Sequence, residues 1–180
     1  RRRISRVALA ASKCSSSHVT RKSAQRVVLR AGSGRACVAG PPMRGAGALR
    51  WARRHPERRA AAASLSGVLD LADESYRERR LPDIERVFGD REIAGSDDDL
   101  LALLRRAAAE GRTADLPELF LACGTEDFLV DGNRAFERVA DESGVALRSE
   151  FSPGTHEWGF WDRTIQDVLD WLPLAGTPRT

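Results

Sequence analysis

The sequence predicts an α/β fold built on a parallel sheet, and two observations carry that prediction. Four short apolar runs, near 36–39, 60–65, 117–122 and 146–151, alternate with stretches of helical character near 46–54, 97–110, 132–143 and 163–172. Such alternation is the pattern of βαβ units. The last two runs lead into loops holding Asp127 and His156, and sheets of this class gather their chemistry at the carboxyl ends of strands. At 180 residues the chain can bury one core of ordinary size. No apolar run reaches the ~18 residues that a membrane-spanning helix needs.

Ala36-Cys37-Val38-Ala39 is a short apolar run that ends in Gly40-Pro41-Pro42, as a buried strand would. Residues 46–54 read as a helix that stops before Pro56. The alanine-rich run up to Leu65 would be helical on propensity alone. It is short, however, and Pro56 and Ser66-Gly67 flank it, which favours a buried strand. Residues 70–89 are polar and irregular, and are expected to pass over the site without regular structure. Ser96 is expected to cap a helix over 97–110. Asp97, Asp98 and Asp99 complement its positive end, and Leu100, Leu103 and Leu104 recur at helical spacing. A strand at 117–122, a helix at 132–143 and a strand at 146–151 follow. Ile165, Val168, Leu169 and Leu172 fall on one face of a closing helix.

Charge divides the chain differently. Residues 1–56 hold 14 Lys+Arg and no Asp or Glu, whereas the remaining 124 residues hold 15 Lys+Arg against all 26 acids. The net charge of +3 hides this split, so the basic pI does not indicate a nucleic-acid-binding fold. Residues 1–35 are therefore set apart as a basic, acid-free segment, disordered or non-native, before a domain over 36–174 and a tail over 175–180. Three readings of the basic segment stay open. It fits a transit peptide in composition, or an arm that neutralises phosphates, or a misread frame joined to a genuine domain. Against the arm, residues 1–35 contain no Phe, Tyr or Trp to stack on bases. Cys14, Cys37 and Cys123 have neither disulfide-framework nor metal spacing, which suits a reducing compartment such as the cytoplasm, or mere burial.

The chemistry-bearing residues lie near the end. Asp127 sits in Cys123-Gly124-Thr125-Glu126-Asp127-Phe128, and His156 in Pro153-Gly154-Thr155-His156-Glu157-Trp158. Taken singly, a Gly-Thr-Glu-Asp run is ordinarily a turn and a histidine after Pro-Gly-Thr an ordinary loop residue. At the ends of successive strands they instead stand in the order acid, then histidine, that follows the serine in α/β-hydrolases. There the carboxylate fixes the imidazole tautomer and stabilises the imidazolium that forms.

Residues 36–173 resemble the C-terminal half of the esterase D-like family of α/β-hydrolases, which includes tributyrin esterases, S-formylglutathione hydrolases and mycolyltransferases. The resemblance rests on Met43 with Gly45, Gly47-Ala48-Leu49-Arg50, His55-Pro56 and Ser64-Leu65-Ser66-Gly67. It continues through Cys123–Phe128, Asn133-Arg134, Gly154–Trp158 and Trp161-Asp162, and ends at Leu169–Pro173. It implies half of an α/β-hydrolase fold and hydrolysis of a small carboxylic ester or thioester through an acyl-enzyme. Asp127 would be the triad acid, His156 the general base, and Met43 a backbone donor to the oxyanion. The resemblance implies no metal, no organic cofactor and no nucleic-acid partner.

One departure falls on the chemistry itself. Where the family carries Gly-x-Ser-Met-Gly-Gly, this chain reads Gly40-Pro41-Pro42-Met43-Arg44-Gly45, with Pro42 at the nucleophile position. The elbow holds its nucleophile at positive φ, whereas proline fixes φ near −65°. Arg44 also replaces a small residue. Nothing in residues 1–35 resembles the family's first strands or second oxyanion donor, so the run at 36–39 is expected to leave one apolar edge open. Three functions stay in view: an ester hydrolase by family, inactive as the chain stands; a catalytically dead binding module; and a nucleic-acid or membrane-surface binder acting through the basic segment.

Overall fold

The computed structural model describes residues 61–172 throughout, with the backbone of strand residues 27–30, 36–40 and 59–60 and with residues 47 and 49. Five strands form one sheet in sequence order: β1 (Val27–Arg30), β2 (Ala36–Gly40), β3 (Arg59–Leu65), β4 (Glu118–Gly124) and β5 (Leu147–Ser152). β2 to β5 run parallel, as the sequence predicts, with Ala62 opposite Leu119 and Cys123 opposite Phe151.

β1 corrects one expectation. It pairs antiparallel with β2, from Val27 opposite Ala39 to Arg30 opposite Ala36. Residues 27–30 therefore join the sheet, and the edge of β2 expected to lie open is hydrogen-bonded. The four-residue run Val27-Val28-Leu29-Arg30, β-branched at its start, has the strand propensity for that role. Its place inside the basic, acid-free segment masks that signal in the sequence. Residues 1–26, 31–35, 41–46 and 173–180 lie outside the described residues, and Pro42 and Met43 with them. The helix expected over 46–54 is described only at Gly47 and Leu49, both helical.

Two apolar layers sandwich the sheet, and the period of two along each strand decides which residues enter which. Ala62, Leu119 and Leu121 point to one face, where they meet Leu100, Leu103 and Leu104 of α3 (Leu100–Ala109) and Phe136 and Val139 of α4 (Val130–Glu142). Ala61, Ala63, Leu65, Phe120 and Ala122 point to the other, against Val168 of α5 (Trp158–Trp171) and against Leu172. Burial on both faces explains why the alanine run is a strand despite its propensity. Ala61, Ala62 and Ala63 are all fully buried, and a central strand covered on both faces reads as a continuous apolar run.

Three boundaries differ from expectation. Residues 70–89 are not irregular, because they form α1 (Glu74–Arg79) and α2 (Leu81–Phe88). Asp73 caps α1 by accepting from the Tyr76 N–H at 2.7 Å. Pro82 fits the first turn of α2, and Gly89 ends that helix at φ 58°. α3 is capped by Asp99 rather than Ser96, whose hydroxyl instead donates to the Ile93 carbonyl and accepts from the Asp98 N–H. α5 begins at Trp158, earlier than the expected 163, because Phe160 is buried and belongs to its packed face.

Asp99 carries two duties with one carboxylate. Oδ1 accepts from Ala102 N at 2.9 Å and Oδ2 from Gly95 N at 2.9 Å. Asp99→Ala should therefore destabilise the domain by about 1–2 kcal/mol, read as a lower urea midpoint with an unchanged m-value. Ser96→Ala should shift the midpoint less.

Candidate active site

In a sheet whose strands run parallel, the loops after each carboxyl end emerge at one edge. Asp127 follows β4 and His156 follows β5, so neighbouring strands deliver them to neighbouring loops. His156 Nδ1 lies 2.9 Å from Asp127 Oδ2 and 3.1 Å from Oδ1. A carboxylate only accepts, so with Asp127 ionised Nδ1 carries the proton and Nε2 is left with its lone pair free. Asp127 is buried, while the imidazole is partly open to solvent. The sequence expectation that these two side chains meet agrees with this geometry.

The two loops are joined by backbone at close range. Thr125 N donates to Ser152 O at 3.0 Å and Glu126 N to Gly154 O at 3.1 Å. The Glu126 carboxylate returns the grip, accepting from Gly154 N at 2.6 Å while its other oxygen accepts from the Thr125 hydroxyl at 2.8 Å. These hydrogen bonds hold the Glu126 carboxyl below its ordinary range, the Gly154 N–H contributing most. Approach this close needs glycine at 124, and the Phe160 ring separately demands it at 154. A Cβ on Gly124 would stand 2.6 Å from the Gly154 carbonyl carbon, and one on Gly154 would strike the Phe160 ring at 2.5 Å.

Aromatic rings frame the imidazole. Phe128 lies with its ring centroid 4.6 Å from that of His156, and Trp161 meets it edge-on at 5.0 Å. Trp158 packs edge-on against Trp161 at 5.2 Å. Phe128 and Trp158 nevertheless stay largely exposed, at 53% and 61%, whereas Trp161, between Trp158 and the imidazole, is half-buried. Beyond Phe128 a cleft of about 340 Å³ runs between α1 and the start of α4, bounded by Asp70, Tyr76, Arg79 and Asp131.

The nucleophile position is not part of this picture, because Pro42 and the oxyanion candidate Met43 lie outside the described residues. β2 does end at Gly40, level with Ser64 of β3, so its carboxyl end lies at the same edge. Among the described residues no serine is hydrogen-bonded to His156, and Ser64 and Ser66 are fully buried. Cys123, two residues before Thr125, is no substitute. Burial, reinforced by the Asp127 charge, pushes its thiol up to about 12, so it stays protonated at neutral pH. Among the described residues no group of His, Cys, Asp and Glu could hold a metal ion, and no helix is long and apolar enough to cross a membrane. Glu126 and Phe128 also belong to the site, through Gly154 N and the imidazole; in the sequence both stand only as members of the Cys123–Phe128 motif, with no local signal of those contacts.

No protein-family model matches the sequence. An acetyl esterase of Caldicellulosiruptor saccharolyticus is 35% identical over 88 residues, 48% of this chain and 32% of that enzyme. Among solved structures, a fluorophosphonate-binding serine hydrolase of Staphylococcus aureus with substrate bound superposes with a TM-score of 0.63 at 28% identity, over 75% of this chain and 52% of that one. The S-formylglutathione hydrolase of Staphylococcus aureus superposes with a TM-score of 0.61 at 26% identity, over 75% and 53%. The chain thus spans about a third of the acetyl esterase and about half of each structural neighbour.

Two outcomes follow from the joined loops. Gly124→Ala should destabilise the domain by about 1–3 kcal/mol, because the new methyl meets backbone and not a flexible side chain; thermal or urea unfolding measures it. The Glu126 clamp, whose folded pKa is lowered, should be intact above the ordinary glutamate value of 4.5 and lost as pH falls through the lower folded value. Amide exchange at Gly154 should accelerate over that acid range in the parent chain relative to its intrinsic rate. In Glu126→Ala the amide should already be unprotected at neutral pH.

Proposed function

We propose that this chain, similar over the part these relatives cover to esterases of the α/β-hydrolase class, carries the acid and base of a serine-hydrolase site without the nucleophile. Asp127 is the triad acid and His156 the general base for a small carboxylic ester or thioester. The observation that carries this reading is the hydrogen bond from a partly exposed imidazole to a buried carboxylate at the carboxyl edge of the sheet. A purely structural histidine would not need an imidazole left partly open to solvent beside the exposed Phe128 ring.

In the complete mechanism His156 Nε2 takes the proton of an attacking serine, and Asp127 stabilises the imidazolium through Nδ1–H. The serine forms the acyl-enzyme as the alcohol or thiol leaves with the proton that His156 returns, and water then releases the acid by the same route. Residue 42 is proline, which has no hydroxyl to attack and a φ incompatible with the elbow. The chain as it stands therefore retains acid–base pairing and loses acyl transfer. Cysteines without framework spacing support a reducing compartment, the cytoplasm, as its location.

The 180-residue chain should show no turnover of p-nitrophenyl acetate or butyrate above the uncatalysed rate, and no labelling by a fluorophosphonate. Pro42→Ser alone should not restore either, since Arg44 still fills the place of a small residue. Stoichiometric fluorophosphonate labelling of any serine, Ser64 and Ser66 included, would overturn the proposal.

A further inference from the structure

Asn133 is fully buried in the first half of α4, one turn after the acid loop. Its side-chain amide donates to two carbonyl oxygens, Leu129 O at 2.8 Å and Gly67 O at 2.9 Å. Both partners are acceptors, so only the NH₂ end can face them, and the amide orientation follows from chemistry. The Oδ1 atom is left buried without a partner. An unpaired buried acceptor is unfavourable, and its persistence indicates that the two donors matter more.

The two carbonyls belong to different loops. Gly67 follows Ser66, which leaves β3 in a left-handed conformation at φ 48°. Leu129 lies in the loop after β4, and its N–H donates to Asp127 Oδ1 at 2.9 Å. Leu129 is thus held at its carbonyl by the Asn133 side chain, beside the helical N–H of Asn133 at 3.1 Å, while its own N–H aims the Asp127 carboxylate. We propose that Asn133 is a positioning residue: its amide ties the loops after β3 and β4 together and so directs Asp127 toward His156 Nδ1. It touches neither substrate nor the reacting atoms. The inference rests on the acid–base reading above, and it deepens that reading by naming what holds the acid in place.

The test reads the imidazole directly and does not depend on turnover. In the full chain, ¹⁵N-labelled histidine NMR at neutral pH reports the tautomer of His156, assigned with His156→Gln, together with the exchange rate of its Nδ1 proton. The parent chain should show the Nδ1–H tautomer. Asn133→Leu, close to isosteric and free of the orphaned oxygen, should shift the tautomer ratio toward Nε2–H by about 3- to 10-fold, the range expected for one or two lost hydrogen bonds, and should speed Nδ1 proton exchange. Asn133→Ser, which keeps one donor in a smaller side chain, should give an intermediate shift and keeps the test available should leucine not be accommodated. Val139→Ala, a buried truncation on the same helix, should lower stability and leave the tautomer unchanged. An Nε2–H tautomer in the parent chain would overturn the acid–base reading itself. A parent Nδ1–H tautomer that persists in the folded Asn133 variants, or that Val139→Ala shifts equally, would overturn the positioning role alone.

Discussion

Gly124 allows the backbones leaving β4 and β5 to touch, and the geometry of the site depends on that contact. The approach leaves no room for a Cβ at 124, while the Phe160 ring leaves none at Gly154, and the amides of Thr125, Glu126 and Gly154 convert the contact into directed hydrogen bonds. Asp127 and His156 stand three and two residues beyond these glycines, too close in sequence to drift far. A hydrogen bond of 2.9 Å between two loop side chains is therefore a property of the backbone beneath them as much as of the pair.

The sheet supplies the rest of the constraint. Parallel pairing sets the register of β4 on β5, from Leu119 opposite Leu147 to Gly124 opposite Ser152, and so fixes where each loop begins. That pairing is held in turn by apolar layers on both faces, with Phe120 and Leu121 sent to opposite sides by the strand period. The same architecture places the carboxyl end of β2 at this edge. A nucleophile supplied from the residues just after Gly40 would enter the site from there, and in this sequence those residues are Pro41 and Pro42.

Much of this was legible in the residues, and the exceptions have physical causes. The four parallel strands were readable from apolar runs bounded by Gly and Pro, even where alanine propensity argued for helix, because flanks and length outweigh propensity in a short run. The meeting of Asp127 and His156 was readable from their places after successive strands. The helices at 74–79 and 81–88 were not, since they are short, six and eight residues, and carry one buried side chain between them, Ile84. Signals were present all the same: Asp73 three residues before Tyr76, Pro82 in the first turn of the second helix, and Leu81, Ile84 and Phe88 at helical spacing within it. Ser96 and Asp99 compete as caps for one helix, and local turn bonding took the serine. The roles of Asn133 and Glu126 were not legible, because they lie in contacts to backbone far away in sequence, Gly67 and Gly154, which no local pattern encodes.

The central claim is that Asp127 and His156 act as one hydrogen-bonded unit in this chain. A double-mutant cycle of urea unfolding tests it most directly, using Asp127→Asn, His156→Gln and the double variant. The geometry predicts a coupling of about 1–3 kcal/mol between the two substitutions, the range of a hydrogen bond with a charged partner. Additivity within about 0.3–0.5 kcal/mol would contradict it, and would mean that the two side chains only happen to lie side by side.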